Sequence, residues 1–281
     1  AALAREYGVG LHSHIQESKI QVIVGRSTYG TTQTAHLESL GLLGPDFVAA
    51  HGVWLDREDI QRLTDAGASL AHNPGSNMRL GSGIATAKAM FEQGLNVGIG
   101  TDGANCSDNL NMYEAMRLAS LASKVRSPET RHWLRTEEIA LAATRGSARA
   151  LGLGDQIGQI APGYQADMVL LDLNNINWIP LNDPTNQLVH TEDGSAVDTV
   201  LVGGQIVVQD HLPVGVNMAD LAFRAEQARE RLAADNEQNR LLYERLAPIV
   251  NSYCPGLATQ PYHIDHYGSR TSGCGHSHSY G

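Results

Sequence analysis

Along the N-terminal part of the chain, a short apolar run ends four times on polar side chains. Gly8-Val9-Gly10-Leu11 leads to His12-Ser13-His14, and Phe47-Val48-Ala49-Ala50 leads to His51. Ala68-Ser69-Leu70-Ala71 leads to His72-Asn73-Pro74, and Val97-Gly98-Ile99-Gly100 leads to Thr101-Asp102-Gly103. Short unbroken apolar runs suit strands buried on both faces, as in a parallel sheet. The segments between them read as helices. Asp56 is placed to cap Arg57–Ala66, where Ile60 and Leu63 share a face, and Gly67 stops it. Ile84–Gln93 stops at Gly94, Leu110–Lys124 is a longer amphipathic stretch, and Thr136 is placed to cap Glu137–Leu151 before Gly152.

Alternating strands and helices with polar cargo at the strand ends predict part of a (β/α)8 barrel. A doubly wound sheet is the rival, and no G-x-G-x-x-G follows a strand to support it. Four βα units make half a barrel, which leaves a sheet edge and a sheet face uncovered. Residues 1–10 read as a helix end entering a strand, with no initiator Met and no signal peptide. The natural polypeptide is therefore expected to begin upstream. After Gly152 the texture changes. Ile157–Leu173 and Val197–Gln209 predict short strands in a small β-sandwich layer, and Met218–Val250 returns to helical periodicity. The expected division is a barrel half at 1–152, a β layer at 153–213, a helical segment at 214–252 and a tail at 253–281. The end of that tail, Gly268–Gly281, is rich in Ser, Gly and His and reads as disordered. His276 and His278 within it fit a solvated tail better than a metal site.

Composition narrows the classes. Of 281 residues 42% are hydrophobic and 18% charged, so a proper core is available. The net charge of −10 argues against nucleic acid, because phosphate contacts need a basic surface. No run of 18 apolar residues predicts a membrane span. Cys106, Cys254 and Cys274 form no C-x-x-C pair, which excludes a disulfide scaffold and a cysteine-rich zinc module. A reducing compartment, the cytoplasm, is expected.

The chemistry candidates sit at the strand ends. His14 and Glu17 form H-x-x-E, a spacing that offers a metal ligand and a proton carrier side by side. Taken alone, the pair fits an ordinary polar loop better than a site. His51 reads as a base or an orienting group, or as a buried histidine satisfied by backbone. Asp102 lies in an Asp-Gly turn, yet a charge ending a buried strand needs a metal or a histidine as partner. Asn73-Pro74-Gly75-Ser76-Asn77 either shapes a pocket wall or caps the next helix. His12 shares a strand face with His14 and reads as a packing or supporting residue. A barrel brings His14, Glu17, His51 and Asp102 into one mouth.

The strings HSHIQES, AAHGVWLDRED, HNPGSNMRLGSG and GIGTDGANCSDNLNMYEAMRLAS resemble the amidohydrolase superfamily. The similarity is to its aminohydrolase branch of S-adenosylhomocysteine/methylthioadenosine deaminases, guanine deaminases and triazine (chloro)hydrolases. IGQIAPGYQADMVLLDL and VDTVLVGGQIVV resemble that family's C-terminal β layer, and the likeness covers roughly residues 5–210. The resemblance implies strands five to eight of the barrel. It implies His14 as the fifth-strand metal ligand and Asp102 as the eighth-strand ligand and base. It also implies Glu17 as the proton shuttle to a ring nitrogen, His51 as the group orienting the attacking hydroxide, and Glu17 with Asn73 as substrate contacts. The family's first-strand His-x-His pair has no counterpart here, because His12 and His14 lie too close to Asp102 in sequence to be it.

The implied cofactor is one divalent metal, zinc or iron. The implied activity is hydrolytic deamination of a purine, pterin, pyrimidine or triazine. The rivals are chloride displacement from a triazine-like ring and a non-catalytic fragment lacking the His-x-His ligands. The cytidine-deaminase signature pairs H-x-E with P-C-x-x-C, and the sequence has no P-C-x-x-C. Expected partners are a small heterocyclic substrate and further copies of the chain, with neither nucleic acid nor membrane.

Overall fold

A computed structural model describes residues 2–264 and 266. Strands β1 (Leu11–Ile15), β2 (Phe47–His51), β3 (Ser69–His72) and β4 (Asn96–Ile99) form one sheet in the order β1-β2-β3-β4. Every pairing is parallel, so each connection must cross over, and helices supply the crossovers. Lys19–Tyr29 and Gln33–Ser39 lie between β1 and β2, and Arg57–Asp65 lies between β2 and β3. Pro74–Arg79 and Ala87–Glu92 lie between β3 and β4. Asp56 caps Arg57–Asp65 by accepting from Asp59 N–H at 2.9 Å.

The register decides which side chains share a face. Phe47, Ala49, Leu70 and Val97 point to the helices and pack with Trp54, Ile60, Leu63 and Met90 in the main core. Ala49, Trp54, Leu63, Leu70 and Met90 are fully buried. Each such large side chain contributes about 1.5–3 kcal/mol through burial. His12 pairs with Val48, His14 with Ala50, and Ala50 with Ala71, which in turn pairs with Gly98; these residues alternate onto the opposite face. That face borders a hollow of about 1030 Å3 lined by His12, Val48, Ala71 and Gly98.

The opposite face is closed at β4 by a break in helical geometry. The sequence pattern predicts one helix over Glu137–Leu151 capped by Thr136. Instead Thr136–Leu141 is α-helical, Ala142–Gly146 is π-helical and Ser147–Ala150 is α-helical again. Thr136 is already inside the helix, and the Glu138 carboxylate accepts from Arg135 N–H at 2.9 Å at its start. The wide turn delivers Gly146 and Ser147 to the sheet. Asn96 Nδ2 donates to Gly146 O at 3.0 Å, and Ser147 Oγ donates to Ile99 O at 3.2 Å.

The later strands β5 (Met168–Leu171), β6 (Val197–Val202), β7 (Gln205–Gln209) and β8 (Leu212–Pro213) form a second, antiparallel sheet in sequence order. Of the predicted Ile157–Leu173 stretch only Met168–Leu171 is strand. Gly158 and Gly163, both at positive φ, turn the preceding residues. Gly203-Gly204 joins β6 to β7 with both residues at positive φ, the geometry a two-residue hairpin loop requires. After Gly152 the described residues form this single four-stranded sheet, in place of two packed layers.

The helical segment runs longer than its periodicity implied, as Met218–Asp235 and Glu237–Ala258. Neither helix has a buried residue. The chain then returns to the body, where Tyr262 and Ile264 pack on the main core and the His266 ring meets Trp54 edge-on. The Gly268–Gly281 stretch, with His276 and His278, lies outside the described residues. No helix among the described residues is long and apolar enough to cross a membrane.

Gly146 gives a test of the β4 closure. Glycine to alanine inside an exposed helix normally stabilises by about 0.5–1 kcal/mol. Here a Cβ would lie 2.1 Å from Val97 O. Gly146→Ala is expected to destabilise instead, by about 1–3 kcal/mol, read as a lowered midpoint in denaturant.

Candidate active site

His14, His51 and Asp102 meet at the carboxyl ends of β1, β2 and β4. His14 is exposed on the uncovered face, and its ring stacks on His51 with centroids 5.1 Å apart and planes at 22°. His51 is 1% exposed and Asp102 half-buried. Both adopt left-handed backbone, φ +70° and +63°, at the points where their strands turn into loops. His51 Nε2 lies 3.9 Å from Asp102 Oδ2.

The loop after β3 holds both of these groups. His51 Nδ1 donates to Asn77 Oδ1 at 2.9 Å, which leaves Nε2 to face Asp102. Ser76 Oγ donates to Asp102 Oδ2 at 2.7 Å, and Gly103 N–H donates to Oδ1 at 2.7 Å. Desolvation pushes the Asp102 carboxyl upward. Ser76, Gly103 and the two imidazoles His51 and His14 outweigh it and hold the group below the usual aspartate range. Asp102 is therefore ionised at neutral pH.

Glu17 follows β1, half-buried, with its N–H donating to Gln21 Oε1 at 2.7 Å. It and Asp102 share a neighbour in Cys106. Burial raises the Cys106 thiol, the negative charges of Asp102 and Glu17 raise it further, and a hydrogen bond to Asp102 adds to this. His12 feels the same cluster. Burial lowers it, and the charges of His14 and His51 lower it again.

The Asn73–Asn77 segment does not behave as a simple cap. Asn73 starts the helix Pro74–Arg79 without a side-chain cap bond. It is 6% exposed, and its Oδ1 occupies the space that a Cβ on Gly100 would need, 2.3 Å away. Ser76 and Asn77 were visible only as members of that loop, and their separate jobs on Asp102 and His51 carried no sequence signal. Gln16 was not singled out at all, although it is fully buried beside Glu17. A polar residue between Ile15 and Glu17, in a run otherwise read as strand end, was the available clue.

The donors suit a divalent ion in kind, since imidazole nitrogen and carboxylate oxygen are both zinc ligands. Among the described residues, however, no group of three or more His, Cys, Asp or Glu is arranged to hold a metal ion. His14 and Asp102 are two donors where a zinc site takes three or four protein ligands.

A parallel α/β sheet with histidines and an aspartate at its carboxyl ends matches a known scaffold. The chain belongs to the amidohydrolase family, whose model matches residues 1–207. It is 41% identical over 209 residues to the 5-methylthioadenosine/S-adenosylhomocysteine deaminase of Pyrococcus abyssi, covering 74% of this chain and 48% of that protein. Among solved structures it is similar to an adenosine deaminase from Xanthomonas campestris with bound zinc. The TM-score is 0.80 at 32% identity, over 83% of this chain and 53% of that one. An atrazine chlorohydrolase from Arthrobacter aurescens complexed with zinc gives 0.76 at 31%, over 80% and 50%. These likenesses place the fold among those of TIM-barrel type. The chain spans about half the length of the relatives it matches.

His72, one strand from His51, supplies a pH test. It is completely enclosed, its Nδ1 has no hydrogen-bond partner, and burial followed by the charge of His51 lowers it to about 4. A histidine whose folded value is depressed contributes stability that is full above its unfolded value near 6.5 and is lost as pH falls through about 4. Unfolding free energy is expected to fall between pH 7 and 4. In His72→Gln that fall should shrink by an amount on the order of 3 kcal/mol. Parallel denaturant titrations of both proteins at the two pH values check it.

Proposed function

We propose that the protein carrying this chain is a metal-dependent hydrolase that removes the exocyclic amine of an adenosine-type nucleoside and releases ammonia. The observation that supports this most is the convergence of His14, His51 and Asp102 at three strand ends, with Glu17 and Asp102 both acting on Cys106. The names of the similar deaminases supply the substrate class. We further propose that β1–β4 are strands five to eight of a TIM-type barrel. The remaining strands and the remaining metal ligands then lie in sequence that the relatives have and this chain does not.

In this reading His14 and Asp102 would hold one divalent ion, which when bound lowers the pKa of a water from about 16 to about 7. Asp102, ionised, takes a proton from the attacking water. His51, fixed through Nδ1 by Asn77, keeps Nε2 toward that water and sets its direction of attack. Glu17 delivers a proton to the ring nitrogen next to the reacting carbon, which withdraws electrons and makes the carbon electrophilic. The new C–O bond forms, the C–N bond breaks, and the amine leaves as ammonia with the proton Asp102 took from water. The hydroxyl's second proton returns to Glu17 as the ring C=O forms. Asn73, packed against Gly100, supports the wall on which the base rests. The likeness to atrazine chlorohydrolase favours one second reading, in which the same residues displace chloride from a triazine.

The test is a release assay on the complete natural polypeptide with zinc supplied, using adenosine-type nucleosides for ammonia and chlorinated triazines for chloride. Ammonia is expected. Chloride alone would select the second reading, and neither product would sink both.

The two carboxylates should fail differently. Glu17→Gln keeps size and hydrogen bonding and is expected to retain zinc while turnover drops roughly 10²–10⁴-fold. Asp102→Asn replaces a charged ligand by a poorer neutral one and is expected to lose zinc as well as turnover. Metal analysis and kcat on the same preparations separate them. Equal metal loss in both would make Glu17 a ligand, not a proton carrier.

A further inference from the structure

Gln16 is an uncharged residue between the strand that ends in His14-Ile15 and the carboxylate of Glu17. It is 0% exposed and sits at φ +46°, outside the backbone region an L-residue prefers. Its side chain is saturated. Nε2 donates to Trp54 O at 2.8 Å and to Asp59 Oδ2 at 3.0 Å. Oε1 accepts from Thr34 Oγ1 at 2.9 Å and from Thr34 N–H at 3.3 Å. A primary amide has two donors and an oxygen with two lone pairs, and all are used here. Glutamate lacks the donors, and asparagine lacks the reach by one methylene.

The backbone around it is held as firmly. Gln16 N–H donates to Gln33 Oε1 at 3.2 Å, and Gln16 O accepts from Trp54 N–H at 2.9 Å. Glu17 N–H donates to Gln21 Oε1. The peptide group joining Gln16 to Glu17 is thus clamped on both its oxygen and its nitrogen. The clamp's other jaw is the turn that begins at His51, since Gly52 N–H donates to Ile15 O at 3.0 Å and Trp54 bonds Gln16 in both directions. One buried amide therefore fixes the loop that carries Glu17 against the loop that carries His51.

We propose that Gln16 is the positioning residue that sets Glu17 relative to His51, so that the proton donor and the group directing the water address the same ring from fixed places. This rests on the deaminase reading above. Proton transfer needs heavy atoms within about 2.6–3.2 Å, and a misplacement of about 1 Å costs on the order of 10²-fold. Metal binding, which draws on His14 and Asp102, does not depend on the amide in this way.

The experiment compares the wild-type natural polypeptide with Gln16→Met, Gln16→Glu, and Gln16→Glu combined with Asp59→Asn. The double change exchanges amide and carboxylate across the 16–59 contact and restores that hydrogen bond with its polarity reversed. It leaves Trp54 O without its donor and facing a carboxylate oxygen, so the rescue is partial. Three quantities are read: zinc content, kcat and KM on adenosine, and hydrogen exchange at the Glu17 and Trp54 amides. Gln16→Met is expected to keep zinc and to hold KM within about twofold. Its kcat should fall roughly 10–100-fold, with protection at both amides falling at least about tenfold. Gln16→Glu alone should be no better, and the exchanged pair should exceed Gln16→Glu in both kcat and protection.

Wild-type kcat in the zinc-loaded, folded fraction of either single variant would overturn the proposal and leave Gln16 a purely structural residue. So would an exchanged pair no better than Gln16→Glu. If Gln16→Met does not fold, the exchanged pair alone decides. An inactive wild type would defeat the deaminase reading, while protection at the Glu17 and Trp54 amides would still show whether the amide clamps the two loops.

Discussion

A polar group at the end of a buried parallel strand has little water to turn to, so it must be satisfied by another strand end. This requirement organises the molecule. His51 reaches Asn77 beyond β3, and Asp102 takes a hydrogen bond from Ser76 in the same segment. Gln16 spans from β1 to Trp54 beyond β2. The ends of β1, β2 and β4 are each completed by the loop of another strand, while His72 at the end of β3 keeps an unpartnered Nδ1. An isolated βα unit could not show this arrangement, because none contains both halves of any of these pairs.

The packing beneath follows from the same register. The alternation that sends Leu70 and Val97 into the helices puts Ala50, Ala71 and Gly98 on the other face. Small side chains there leave space beneath the histidines. At β4 the sheet admits the backbone of a neighbouring helix, and the π-helical turn at Ala142–Gly146 brings that backbone into place. A regular helix would carry a different residue to the Val97 carbonyl, and only glycine tolerates the distance found there. The parallel sheet and the irregular helix are one solution to a single steric problem.

Much of this was legible in the residues. Apolar runs ending in His or Asp gave the four parallel strands, because β2, β3 and β4 carry small or apolar side chains toward both faces even though one face is uncovered here. The capping aspartate Asp56 was equally plain, since an N-cap is a local event. What depends on distant partners was not legible. The cap at Thr136 was misplaced by one residue because Glu138 could satisfy the preceding N–H instead. The strand expected from Ile157 was cut short by glycines whose positive φ no apolar count registers. Ser76 and Asn77 looked like one capping loop, and only the fold separates the serine that serves Asp102 from the asparagine that serves His51. Gln16 was silent for the same reason, as its four side-chain bonds reach residues 18 to 43 positions away.

Three residues of this cluster, Gln16, His51 and Asp102, occupy left-handed backbone that glycine would adopt without penalty. Non-glycine residues in such conformations cost of order 1–3 kcal/mol each, a sizeable share of the 5–15 kcal/mol by which a domain is usually folded. Glycine would relax the backbone at each of them, but at the buried Gln16 and His51 it would also leave a cavity and unpartnered polar groups. Backbone strain and side-chain bonding therefore oppose each other within single residues, and the margin the rest of the protein must hold in reserve is set at the mouth of the sheet.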